Sequence, residues 1–227
     1  MPKKIFFLSV FLFVFAIVTA GALPAKAASD QQELIDSAQH TMARMLEDEF
    51  FLQVPKYLEK AKAVLIVPSL FKAGFFFGAE GGNGVLLVKN TAGEWSNPAF
   101  YTMAGASLGL QFGAQDAEVL LIVLTDGGLH SVLNSKVKLG ADASFAVGPV
   151  GAGIEGATTT NFDADIVVFS RAVGLFGGVA GEGTMIYARD AWNQLYYGDD
   201  ATPKKIVLEN AASNPGADAL RDVLAGK

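Results

Sequence analysis

Residues 61–90 read AKAVLIVPSLFKAGFFFGAEGGNGVLLVKN. Two runs in this stretch, AVLIVP from Ala63 and GVLLVK from Gly84, are leucine-rich and β-branched, the residue types that fit a pleated, buried surface. Between them lies Gly81-Gly82-Asn83-Gly84, which reads as a tight connection between neighbouring antiparallel strands. The same texture continues downstream. Leu108, Leu110 and Phe112 alternate with Gly109, Gln111 and Gly113, a period of two. EVLLIVLT (118–125) is another apolar run, bounded by Asp126-Gly127-Gly128. Further strands are expected at ADASFAVG (141–148), DIVVFSR (165–171), GLFGGVAG (174–181) and GTMIYAR (183–189), with a turn at Gly181–Gly183. Many short strands with frequent turns predict an antiparallel sheet, strongly curved or closed as a barrel. Glycine on one face lets such a sheet bend.

Upstream the period changes. Leu34, Ile35, Ala38, Met42, Met45 and Leu46 recur at helical spacing, and Ser29 with Gln32 resembles a capping box that would start the helix there. Pro55 suits the first turn of a second, short helix, PKYLEKAK. Short helices are also expected near Leu129–Asn134 and Asp190–Tyr197, with a last one over Ala217–Leu224. The fold class is therefore α+β: N-terminal helices (29–62), a glycine-rich curved sheet (63–188) and C-terminal helices (190–227). No fixed-period repeat or low-complexity linker divides residues 28–227, so they are read as one domain.

The first 27 residues read as a cleavable export signal. Lys3 and Lys4 precede an apolar run from Ile5 to Ala20, followed by Gly21–Pro24 and the small-x-small site Ala25-Lys26-Ala27. An uncleaved membrane anchor is the alternative, since Ile5–Leu23 approaches the length of a bilayer span. Either reading places the domain in the cell envelope, the periplasm if the signal is removed. The chain has no cysteine. A disulfide framework, thiol catalysis and Cys-ligated metal are thereby excluded. Beyond the signal, 14 Lys and Arg face 23 Asp and Glu, a net charge of −9. So acidic a chain is a poor match for nucleic acid, where affinity comes largely from phosphate neutralisation.

Three motif matches carry little chemistry. Gly105-Ala106-Ser107-Leu108-Gly109 fits G-x-S-x-G, but the nucleophile elbow needs a helix after the serine, and here a strand pattern follows. Gly151, Gly153 and Gly156 fit G-x-G-x-x-G, yet the following ATTTNFDADIVVF is strand-like rather than helical. His40 and His130 are the only histidines, too few for a metal site without carboxylates, and Asp163, Asp165, Asp199 and Asp200 are too sparse for a calcium loop. No catalytic residue, metal or cofactor is expected. One feature does point to a partner. Lys56, Lys60, Lys62 and Lys72 are interleaved with Tyr57, Phe71, Phe75, Phe76 and Phe77. Lysine stems beside aromatic rings suit a membrane surface or an anionic headgroup. The plainer alternative is a solvated lysine face over core phenylalanines.

Several blocks, in order, resemble the SYLF-domain family: Phe71-Lys72-Ala73-Gly74-Phe75, Ser96-x-Pro98, Gly148-Pro149-Val150-Gly151 and Ser170-Arg171-x-x-Gly174-Leu175-Phe176. The likeness covers about Ala61 to Gly198. It implies lipid binding, with phosphoinositide membranes and, for yeast relatives, actin as partners. The export signal makes the chain similar to the stand-alone bacterial branch of the family, for which cytosolic actin is a poor partner. The resemblance places lipid contacts in the basic N-terminal part, here Lys56, Tyr57, Lys60, Lys62, Phe71, Lys72 and Phe75. The expectation is a non-enzymatic module that contacts anionic phospholipid. The alternative is a structural or scaffolding envelope protein that self-associates or binds a protein partner.

Overall fold

The computed structural model describes residues 23–74, 77–108, 113–134, 136–149, 163–170 and 184–227. At its centre β1 (Ala63–Gly74) pairs with β2 (Phe77–Val88) on one side and β4 (Gly113–Val123) on the other, and β3 (Ala99–Leu108) lies beyond β2. Three successive strands with the fourth returned beside the first make a Greek key. β8 (Met185–Ala188) and β5 (Lys136–Lys138) extend the β3 side, and β7 (Ile166–Ser170) and β6 (Phe145–Val147) extend the β4 side. The eight-stranded order is β5-β8-β3-β2-β1-β4-β7-β6, curled into a half-barrel. The strongly curved sheet of an α+β domain is thus observed. It is not wholly antiparallel: β6 and β7 run parallel. Eighteen residues separate Val147 from Ile166, enough for the crossover that a parallel pair requires.

The curl follows from chain connectivity. β5 and β6 lie at opposite ends of the strand order yet are consecutive in sequence. In a flat sheet, seven spacings of about 4.8 Å would hold them ~34 Å apart. Lys138 and Phe145 are seven residues apart, a reach of at most ~24 Å. The sheet must bend to close that difference. The turn itself is tight: Gly140, at φ +84°, donates its N–H to Ala143 O at 2.9 Å, and Lys138 N–H donates to Asp142 Oδ2 at 2.7 Å.

Both faces of the sheet are apolar. The concave face carries Leu65, Val67, Leu70, Leu86, Tyr101, Met103, Leu121, Val168 and Ile186, packed with α3 (Asp126–Leu133) and α5 (Pro203–Val207). On the convex face, Val64, Ile66, Val85, Leu87, Phe100, Leu120, Ile122, Val167 and Phe169 meet α1 (Leu23–Glu47), α2 (Val54–Lys60), α4 (Asp190–Tyr197) and α6 (Asp218–Leu224). On α1 the buried stripe is Ile35, Ala38, Met42 and Met45, as its period requires. Ser29 does not start this helix; it lies inside α1, whose first turn accommodates Pro24 because a first-turn proline sacrifices no helical hydrogen bond. α3 begins at Asp126, before the expected Leu129, since Thr125 caps it by accepting from Gly128 N–H at 2.9 Å.

Gly81–Gly84 form no connection. They lie within β2, opposite Met103 and its neighbours on β3. Gly82 and Gly84 serve close approach. β1 carries one extra residue at Pro68-Ser69, a β-bulge against both neighbours, and the bulge is where a strand interior tolerates proline. The bulged backbone presses on β2. A Cβ on Gly84 would stand 2.5 Å from Ile66 O, and one on Gly82 would overlap Ser69 O. The single strand expected over 107–114 is not formed: Leu108 ends β3 and Gly113 begins β4, strands with β2 and β1 between them; residues 109–112, the strand expected at 174–181, the turn at 181–183 and the glycines of 151–156 lie outside the described residues.

Candidate lipid-contact site

Leu52 and Gln53 already have helical backbone angles, so the chain turns almost continuously from Leu52 through α2. Residues four apart share a helix face. Leu52, Lys56 and Lys60 therefore form one stripe, and all three are exposed, Leu52 to 67 %. Glu59 lies on the same exposed side. The opposite face holds Val54, Tyr57 and Leu58 in the core. Lys89 anchors the end of the helix: its Nζ donates to Leu58 O at 2.8 Å and lies 5.1 Å from the centre of the Trp95 ring. Burial holds its pKa below the usual lysine value, partly offset by Glu59.

The seven residues expected at the contact do not assemble into one patch. Tyr57 is 0 % exposed, with its ring 5.3 Å from that of Phe169; it is a core residue, because its helical phase matches Val54 and Leu58. Lys62 is exposed and pairs with Asp126 at 2.9 Å, an exposed ion pair of small energetic weight. Phe71 and Lys72 sit eight and nine strand residues beyond Ala63, at most about 30 Å away along β1. There the bulge has shifted the alternation by one. Phe71 points to the convex side and is 53 % exposed, whereas Lys72 points to the concave side and is only 9 % exposed. Lys72 is thus not part of an outer basic surface. Phe75 lies outside the described residues. Leu52 was not anticipated, since a lone leucine before a proline-led helix carries no periodic signal.

Ser107 lies in β3, paired with Gly78, and Leu108 continues the strand; the strand–turn–helix of a nucleophile elbow is not formed there. His40 and His130 are exposed. Among the described residues no group of three or more His, Asp or Glu is placed to hold a metal ion. None of the described helices is long and apolar enough to cross a membrane.

The fold is a helix-clad curled sheet with two exposed lysines on one short helix. The chain belongs to the Ysc84 family: that family's sequence model, described as Las17-binding protein actin regulator, matches residues 104–227. The resemblance to SYLF-domain proteins read from the motifs holds. Similar proteins include LAS seventeen-binding protein 3 of Saccharomyces cerevisiae, 33 % identical over 173 residues, which span 75 % of this chain and 38 % of that protein. Protein YSC84 of the same yeast is 32 % identical over 174 residues, spanning 75 % and 37 %. The human SH3 domain-containing YSC84-like protein 1 is 29 % identical over 168 residues, spanning 74 % and 49 %. The chain thus covers between about two-fifths and one-half of these relatives' length. No solved structure matches it.

Proposed function

We propose that this protein is a non-enzymatic lipid-binding module of the cell envelope that meets anionic phospholipid headgroups through the Leu52–Lys56–Lys60 stripe. The observation that carries this reading is the stripe itself: two lysines one turn apart with an exposed leucine on the same face, above a helix whose other face is locked in the core. A lysine near an anionic surface contributes on the order of 1 kcal/mol, so two give weak and salt-sensitive binding. A net charge of −9 outside residues 1–27 repels the rest of the body and orients the stripe inward. Export supports an envelope site. Removing residues 1–27 would leave α1 with Ala28–Glu47, which keeps its buried stripe intact.

Co-sedimentation with vesicles of phosphatidylglycerol in phosphatidylcholine tests the contact. Retention at low salt that is lost in Lys56→Glu/Lys60→Glu, and about halved in free energy in Leu52→Ser, is expected. Retention indifferent to the double charge reversal refutes the stripe. Intact mass of the purified protein tests export, with a start at Ala28 expected and a start at Met1 contradicting cleavage. The second reading, a scaffold for a protein partner, draws on the names of the yeast relatives, one of which is called a binding protein for LAS seventeen. Light scattering separates the two: a stable oligomer insensitive to lipid favours the scaffold.

A further inference from the structure

The bulge in β1 has a chemical result on the concave face. It brings Lys72 directly opposite Glu80 of β2, where side chains begin about 5 Å apart at Cβ and long ones easily meet. Both are buried, at 9 % and 5 % exposure. They nevertheless form no ion pair. Glu80 Oε1 accepts from Thr184 Oγ1 at 2.9 Å, while Oε2 is buried with no hydrogen-bond partner. The side chain of Lys72 makes no hydrogen bond or ion pair to the side chain of Glu80. Gly105, across from Glu80 on β3, makes the seat: a Cβ there would lie 2.6 Å from Oε1 and 3.0 Å from Thr184 Oγ1. Leu70 and Met103, the next inward-facing residues on their strands, are apolar.

A buried carboxylate oxygen without a partner is costly, and here a lysine that does not pair with it stands directly opposite. A group that carries its own anion and its own N–H donors a few ångströms apart satisfies the carboxylate and pairs the lysine at once. We propose that Lys72 and Glu80 form a binding site for a zwitterionic amino-phosphate, the phosphate held by Lys72 and the ammonium by Glu80 Oε2. The charges are read from the strands alone; the choice of a phosphate rather than another anion rests on the lipid-binding reading. Two sources share this chemistry, an ethanolamine phospholipid headgroup and free phosphoethanolamine.

Calorimetric titration of the full chain with monomeric dihexanoyl-phosphatidylethanolamine, dihexanoyl-phosphatidylglycerol and phosphoethanolamine tests it. Saturable binding of the ethanolamine lipid is expected, weakened about tenfold or more by Glu80→Gln and by Lys72→Met, and at least about tenfold tighter than binding of the glycerol lipid, which lacks the ammonium. Phosphoethanolamine binding as tightly as the lipid assigns the site to the soluble source; much weaker binding assigns it to the membrane lipid. Equal affinity for the two lipids, no saturable binding of either ethanolamine compound, or binding unmoved by both substitutions overturns the site. The lipid comparison uses the unaltered chain and so stands if a variant does not fold. The α2 contact is read from vesicle retention and the interior site from the titrations with the two ethanolamine compounds, so failure of the one and failure of the other are read separately.

Discussion

One inserted residue decides where Phe71 and Lys72 point. Strict alternation from Leu65 would turn Phe71 inward with Val67 and leave Lys72 outside; the bulge at Pro68-Ser69 exchanges them. The same bulge explains the glycines facing it, and it separates neighbours that look equivalent in sequence. Gly82→Ala is expected to destabilise by about 1–3 kcal/mol, because its methyl would meet Ser69 O and, at 2.9 Å, Val67 Cγ1. Gly81→Ala, with nothing within 4 Å of the new Cβ, is expected to be neutral or stabilising by up to about 1 kcal/mol through the unfolded chain. Urea midpoints of the two variants measure the contrast. Gly81-Gly82-Asn83-Gly84 reads as a turn in sequence because glycine serves turns and close packing alike. Likewise, an interleaved run of lysines and aromatics does not reveal that Tyr57 falls on the buried phase of α2 or that Lys72 lies past a bulge.

At the scale of elements, α6 is a clasp. Trp95, in the segment between β2 and β3, donates Nε1–H to Leu224 O at 3.1 Å, and Arg221 Nε returns a bond to Trp95 O at 2.9 Å. Nearby, Tyr197 donates its hydroxyl to Pro98 O at 2.8 Å, and burial pushes that phenol well above its ordinary pKa. Trp95→Phe removes one buried hydrogen bond and some volume, an expected loss of about 1–3 kcal/mol. Faster hydrogen exchange at the α6 amides, with the β1–β4 amides unchanged, is the predicted signature. Long elements with strong periodicity were legible from sequence. α4 spans Asp190–Tyr197 as expected, and α2 begins with its proline in the first turn. β5, three residues long, and α5, five residues long, are too short to show a period; partners distant in sequence create them. The basic stripe of α2 was legible in part, whereas Leu52 needed the backbone to reveal its phase.

For the molecule as a whole, the curl is fastened at Asp165. Its Oδ2 accepts from Ser144 Oγ at 2.7 Å and Ser144 N–H at 3.0 Å, its Oδ1 is bonded by the Thr125 hydroxyl, and Leu124 N–H donates to its carbonyl at 2.8 Å. One residue thus joins the end of β4, the start of α3 and the starts of β6 and β7. The hydrogen bond from Thr125, then those from Ser144, hold its carboxyl below the usual aspartate value despite some desolvation. A depressed carboxylate pKa gives stability that is present above the unfolded value of about 3.9 and is lost as pH falls through the folded value. Asp165→Asn, which sets an amide donor against donors, should therefore lower the urea midpoint at pH 7. The difference from the unaltered chain should shrink below about pH 4, and a difference independent of pH would contradict the role.

Among the described residues, the curled sheet ends on β5 at one rim and β6 at the other. β5 and β6 are each three residues long, and β5 carries Lys136 and Lys138 exposed on either side of buried Val137. A strand arriving from another molecule could extend either ladder by only a few hydrogen bonds, and at β5 it would crowd two ammonium groups. Fibre-like growth by strand addition is therefore disfavoured even where the protein is concentrated. Among the described residues, the helices α1, α2 and α6 offer the longer surfaces for assembly, and changes there are expected to matter more than changes at β5 or β6.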